Sequence, residues 1–178
     1  EVAHGLGIKN TINRRGTVRE ALKEHASALE EGKADILGLY MVTRLFDQGE
    51  IREGALLDHY VTFLAGFVRS IRFGASDAHG KANMVQFNFL ERQGAFVRNQ
   101  ESGTYLVDLP VMRSAVEALA TQILTLQGDG DYDGVGKLLA ELGVIGPQLA
   151  GDIARLGKLS IPVDLVFEQG PEVLGLAE

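Results

Sequence analysis

Residues 17–49 read TVREALKEHASALEEGKADILGLYMVTRLFDQG, and this run decides the fold class. Its opening, Thr17-Val-Arg-Glu20, is a capping box, in which the threonine hydroxyl and the glutamate carboxylate each satisfy a free backbone N–H of the first turn. Behind it Val18, Leu22, Leu29, Ile36, Leu37, Tyr40 and Leu45 recur mostly three or four residues apart, which lines one face of an α-helix. Gly32 and Gly38 lower the propensity without supplying a side chain to pack. The spacing predicts one long helix from Thr17 to about Gly49.

The neighbouring segments carry the same period. Leu56, Leu57, Tyr60, Phe63, Leu64, Phe67, Val68 and Ile71 form a wide apolar stripe between Glu53 and Phe73, with Gly74 at the C-terminal glycine position. Ser76 is the expected cap of a third helix running to about Gln93, ended by Gly94. Ala95–Arg98 and Thr104–Val107 are short β-type runs around Asn99-Gln-Glu-Ser-Gly103 and read as a hairpin. Asp108 with Pro110 starts a further helix to about Gln127, and Tyr132–Val144 and Gln148–Leu156 give two shorter ones. Ile161–Phe167 reads as an extended segment. The expectation is a mainly α fold, a helical bundle or array with one small β-hairpin. It is read as a single helical domain over 1–178 with a C-terminal extended segment at 158–178.

Composition narrows the function. The 178 residues hold 17 Lys+Arg against 24 Asp+Glu, a net charge of 17 − 24 = −7, with 46% hydrophobic residues and a mean hydropathy of +0.06. Enough apolar surface is available for a core. The acidic balance, with a pI near 5.1 and no basic tract, argues against nucleic acid. No apolar run approaches the roughly 18 to 20 residues that span a bilayer, so no membrane partner is expected. With no cysteine, disulfides, thiolate zinc sites and cysteine nucleophiles are excluded.

Three groups of residues carry candidate chemistry. Asp129-Gly-Asp131-Tyr-Asp133-Gly134 copies the first half of a calcium-binding loop, but the ninth position is Lys137 and the twelfth Ala140, so a solvated turn between helices is the favoured reading. Glu1-Val-Ala-His4 matches the last four letters of the HExxH pattern, in which two histidines four apart on one helical face bind zinc and the intervening glutamate is a general base. Leu29-Glu30-Glu31-Gly-Lys-Ala-Asp35 puts Glu31 and Asp35 on one helical face, one available to a metal and one to a position behind a ligand. A catalytic site of two histidines and one glutamate needs such a third ligand from a separate helix. His25 and His59 lie inside amphipathic stretches and read as structural.

Taken together, EVAHGLG (1–7), KEHASALEEGKADILGLY (23–40) and FGASDAHGKANMVQFNFLERQGAF (73–96) resemble the second half of the dipeptidyl peptidase III family of zinc metallopeptidases. The likeness is strongest to the shorter bacterial and plant forms, some of them fused to a Nudix domain. It implies a helical, zinc-bearing lobe of a two-lobed enzyme that hydrolyses peptides. On that resemblance Glu1 is the general base, His4 and Glu31 are zinc ligands, Glu30 and Asp35 orient the histidine ligands, and His79 contacts substrate and the tetrahedral intermediate. It further implies zinc as cofactor, a peptide as substrate, an N-terminal lobe as partner and a cytoplasmic location. The histidine that would precede Glu1 is not in the sequence, so the chain by itself is expected to be inactive. The geometric expectations are that His4 and Glu31 come within reach of one metal and that Asp35 hydrogen-bonds His4. The competing reading is a non-catalytic helical module that binds a protein partner.

Overall fold

The computed structural model describes residues 1–159, 161 and 168–176. The chain divides into two compact units, Glu1–Gly146 and Pro147–Glu178. The first is built from helices α1 (Val18–Leu22), α2 (Ala26–Asp47), α3 (Leu56–Ile71), α4 (Ala78–Arg92), α5 (Leu109–Asp129) and α6 (Tyr132–Leu142), with one two-stranded sheet of β1 (Phe96–Arg98) and β2 (Tyr105–Val107). In the second unit the helix α7 (Pro147–Leu156) carries an ion pair between Asp152 and Arg155 at 3.4 Å. The extended segment expected over 161–167 lies, from residue 162 onward, outside the described residues.

The capping box forms as read: Glu20 N donates to the Thr17 hydroxyl at 3.2 Å, and Thr17 N donates to the Glu20 carboxylate at 2.8 Å. The single long helix does not. Lys23 takes φ 51° and ψ −125°, and residues 23–25 form a 3₁₀ turn that separates α1 from α2. The cause is tertiary. The ring of Tyr132, at the start of α6, lies 4.7 Å from that of His25, and its hydroxyl donates to Glu24. The Lys23 ammonium sits 5.3 Å from the centre of the same ring.

Helix α2 is the central element. Leu29, Ile36 and Leu37 are buried against α4 and α5, which contribute Met84, Leu119 and Ile123. At Gly32 the three helices come close enough that a Cβ would touch Ile123 at 3.7 Å and Ala82 at 3.8 Å. Helix α3 joins α2 through the buried hydroxyls of Tyr60 and Thr43, 2.7 Å apart. The cap of α4 is Asp77, not Ser76: its carboxylate accepts from Gly80 N at 2.6 Å. The hairpin pairs Phe96 with Val107 and Arg98 with Tyr105, and Phe87, Phe96 and Tyr105 stack at centroid distances of 4.9 to 6.0 Å. Asp108 then caps α5 through Val111 N at 3.0 Å, with Pro110 in the first turn where its missing N–H costs nothing. Between α5 and α6, Gly130 takes the left-handed conformation and Asp131 caps α6 through Gly134 N at 2.9 Å, so the aspartate loop is a helix-to-helix turn.

No helix among the described residues is long and apolar enough to cross a membrane.

Candidate metal centre

Four elements meet around His4. Residues 2–5 form one 3₁₀ turn, closed by His4 N on the Glu1 carbonyl at 3.1 Å and anchored by the buried Ala3. One turn has little stability of its own, so its position depends on what it docks against. That surface is the acidic stretch of α2. The His4 Nδ1 lies 3.2 Å from Glu30 Oε1, and its Nε2 faces Glu31 Oε2 at 3.6 Å. The first distance suits a hydrogen bond and the second is too long for one. A proton on Nδ1 shared with Glu30 leaves the Nε2 lone pair directed at Glu31, the tautomer that a metal-ligating imidazole requires.

His79 arrives from the first turn of α4, largely exposed, with Nδ1 3.4 Å from the same Glu31 oxygen. Two ligands of a tetrahedral zinc ion at about 2.0 to 2.2 Å stand about 3.4 Å apart. His4 and Glu31 therefore have the donor types and the separation for two positions around one ion. Among the described residues, no group of three or more His, Cys, Asp or Glu side chains is arranged to hold a metal.

Of the other expected site residues, Glu1 is exposed, and its carboxylate enters no hydrogen bond or ion pair among the described residues. Asp35 does not bond His4. It accepts instead from the Gln86 amide of α4 at 3.1 Å, and Glu30 occupies the position behind His4 that Asp35 was expected to fill. Burial pushes the Asp35 carboxyl above its ordinary range and the charge of Glu31 adds to the shift, while the Gln86 bond and the two histidines oppose it.

Three contributors were not singled out from the sequence. Gln127 of α5 donates to Glu30 Oε2 at 3.1 Å, Gln86 holds Asp35, and the Lys33 ammonium reaches Glu30 together with two main-chain carbonyls of the His4 turn. Both glutamines are almost fully buried, and each leaves its carbonyl oxygen without a partner. An unpaired buried oxygen costs about 1–3 kcal/mol. Polar glutamine on an otherwise apolar helix face was the available signal. Beside His4 a cleft of ≈ 580 Å³ opens, lined among others by Leu6, Lys9, Arg19, Glu30 and Gln127.

No family model matches the chain. The curated plant protein Nudix hydrolase 3 of Arabidopsis thaliana is 42% identical over 169 residues, covering 93% of this chain and 22% of that protein. The solved structure of DPP III from Caldithrix abyssi superposes with a TM-score of 0.88 at 37% identity, covering 99% of this chain and 33% of that one. Dipeptidyl-peptidase III from Corallococcus sp. strain EGB gives 0.85 at 39% identity, covering 93% and 31%. The chain thus spans about a third of these solved relatives and about a fifth of the plant one. Its mainly helical architecture with one small hairpin is that of the corresponding part of the DPP III chains.

Proposed function

We propose, from the likeness in sequence and fold to dipeptidyl peptidase III chains, that this chain is the zinc-bearing part of a peptidase that hydrolyses peptides. One observation carries the reading: the imidazole Nε2 of His4 and a carboxylate oxygen of Glu31, on separate elements, face each other at 3.6 Å while Glu30 engages the other ring nitrogen. His4 and Glu31 hold the ion, and a histidine ahead of Glu1 supplies the remaining protein ligand. Zinc, when bound, supplies Lewis acidity toward the peptide carbonyl.

The rest falls to side chains. Glu1 takes a proton from the attacking water as its oxygen bonds to the carbonyl carbon, then returns it to the amine as the C–N bond breaks. His79, beside Glu31, donates to the oxygen on which charge develops. Glu30 fixes the His4 ring, and Asp35 lies one turn beyond Glu31. In this reading the chain by itself, with two of the three protein ligands, turns over no peptide; the N-terminal lobe is its partner and the cytoplasm its setting.

A chimera tests the proposal. Residues 1–178 replace the matching third of the Caldithrix abyssi chain, with a histidine placed directly before Glu1. The expected product is a folded, zinc-dependent peptidase whose turnover falls by about 10²–10⁴ with Glu1→Gln, the range for loss of a general base, and is abolished by Glu31→Ala. A folded chimera without turnover, or one indifferent to Glu31→Ala, would refute it.

A further inference from the structure

Lys33 is a lysine with almost no access to solvent, at 4% relative exposure, on the face of α2 turned toward the His4 segment. A buried ammonium is costly unless each of its three donors finds an acceptor. Here each does: Glu30 Oε1 at 2.7 Å, the Leu6 carbonyl at 2.7 Å and the His4 carbonyl at 3.1 Å. Two of these partners are main-chain atoms of the 3₁₀ turn and its exit. The third is the carboxylate oxygen that also meets His4 Nδ1.

We infer that Lys33 is the positioning residue of the metal centre: a single ammonium that pins the backbone of His4 through two carbonyls and aims its imidazole through Glu30. The inference rests on the reading of His4 and Glu31 as zinc ligands. Lys33 acts through its three acceptors, Glu30 and the His4 and Leu6 carbonyls. Its task arises because the ligand-bearing turn is too short to hold itself, and because Lys33 ties two carbonyls lying 29 and 27 residues away to Glu30 on its own helix. Gln127 braces the same carboxylate from α5, through Oε2, so Glu30 is held from two sides and His4 inherits its orientation. An arginine keeps the charge but presents it as a planar fork rather than a compact ammonium, whereas a methionine keeps the stem and loses both charge and donors.

The test follows the intact chain by NMR. In the metal-free protein the Lys33 ammonium should give a slowly exchanging signal with through-hydrogen-bond couplings to the carbonyl carbons of His4 and Leu6. A signal exchanging like that of a free surface lysine overturns the inference whether or not any variant folds. Zn²⁺ is then titrated while the His4 side-chain resonances are followed. With fold retained by circular dichroism, Lys33→Met should weaken zinc at His4 by about 10- to 100-fold, the range for residues that orient a ligand. Lys33→Arg, which keeps the charge, should recover part of that loss, a recovery that a purely structural role would not link to zinc. Zinc binding that depends on His4 and Glu31 but is unchanged in Lys33→Met refutes the inference and leaves the proposed function standing. Zinc binding indifferent to both His4→Ala and Glu31→Ala refutes the proposed function and the inference with it.

Discussion

Gly80 sets the geometry beside His79. A Cβ there would stand 2.6 Å from the Gly74 carbonyl oxygen and 2.7 Å from Ala75 Cα, both main chain, while its N–H is held by the Asp77 cap at 2.6 Å. Gly80→Ala must therefore push the 74–77 loop aside. Overpacking of this kind costs about 1–3 kcal/mol, readable as a lower denaturation midpoint together with displaced His79 resonances; an unchanged midpoint and unchanged resonances would mean that the close approach is not made. At this scale the sequence displayed the groups that bear chemistry and hid those that hold them. His4, Glu30, Glu31 and Asp35 stand in recognisable spacings. Gln86 and Gln127 act on carboxylates 51 and 97 residues away, a relation that no local pattern encodes. The exchange between Glu30 and Asp35 behind His4 has the same origin, since a shared helical face does not say which acid the docked turn will meet.

At the scale of elements, caps and periods were legible because they are local. The Thr17 box, the Asp108 and Pro110 start and the hairpin all follow from a few adjacent residues. Asp77 displaced Ser76 as a cap because the two neighbouring side chains are both competent and Gly80 N lies within reach of the aspartate. The break at Lys23 was not legible, since it is imposed by Tyr132 from α6. A non-glycine residue at φ 51° and ψ −125° stores about 1–3 kcal/mol of strain. Lys23→Gly should release more than the roughly 0.5–1 kcal/mol of an exposed cation–π contact, so the variant is expected to denature at a higher midpoint; a lower one would mean that the lysine is not strained. Asp47 at the end of α2 is clasped by Arg113 of α5 through two bonds of 2.5 and 3.1 Å, and the first of several causes holding its carboxyl below the ordinary range is that hydrogen bond. A depressed folded value stabilises above the unfolded pKa, about 3.9 for aspartate, and the contribution is lost as pH falls through the folded value. Wild type should therefore lose more stability than Asp47→Asn between pH 5 and pH 2, as followed by chemical denaturation. Parallel pH profiles would assign the pair no role.

For the whole chain, the mainly α class was readable from periodicity. The fold, which matches about a third of the solved DPP III chains, brings the three blocks together in this chain, with His4 and His79 both facing Glu31 on α2. What a linear reading could not supply is the order of dependence among them: the one-turn segment of His4 leans on α2, α2 leans on α4 and α5, and buried polar groups at those contacts orient Glu30 and Asp35. The most direct test is calorimetric titration of Zn²⁺ into the chain with one histidine placed before Glu1, beside the unextended chain and the extended chain carrying Glu31→Ala. Gaining one ligand should tighten binding by at least about 100-fold, beyond the 10- to 100-fold of an orienting residue, and Glu31→Ala should cancel the gain. Equal zinc affinity in all three proteins would contradict a shared ion between His4 and Glu31.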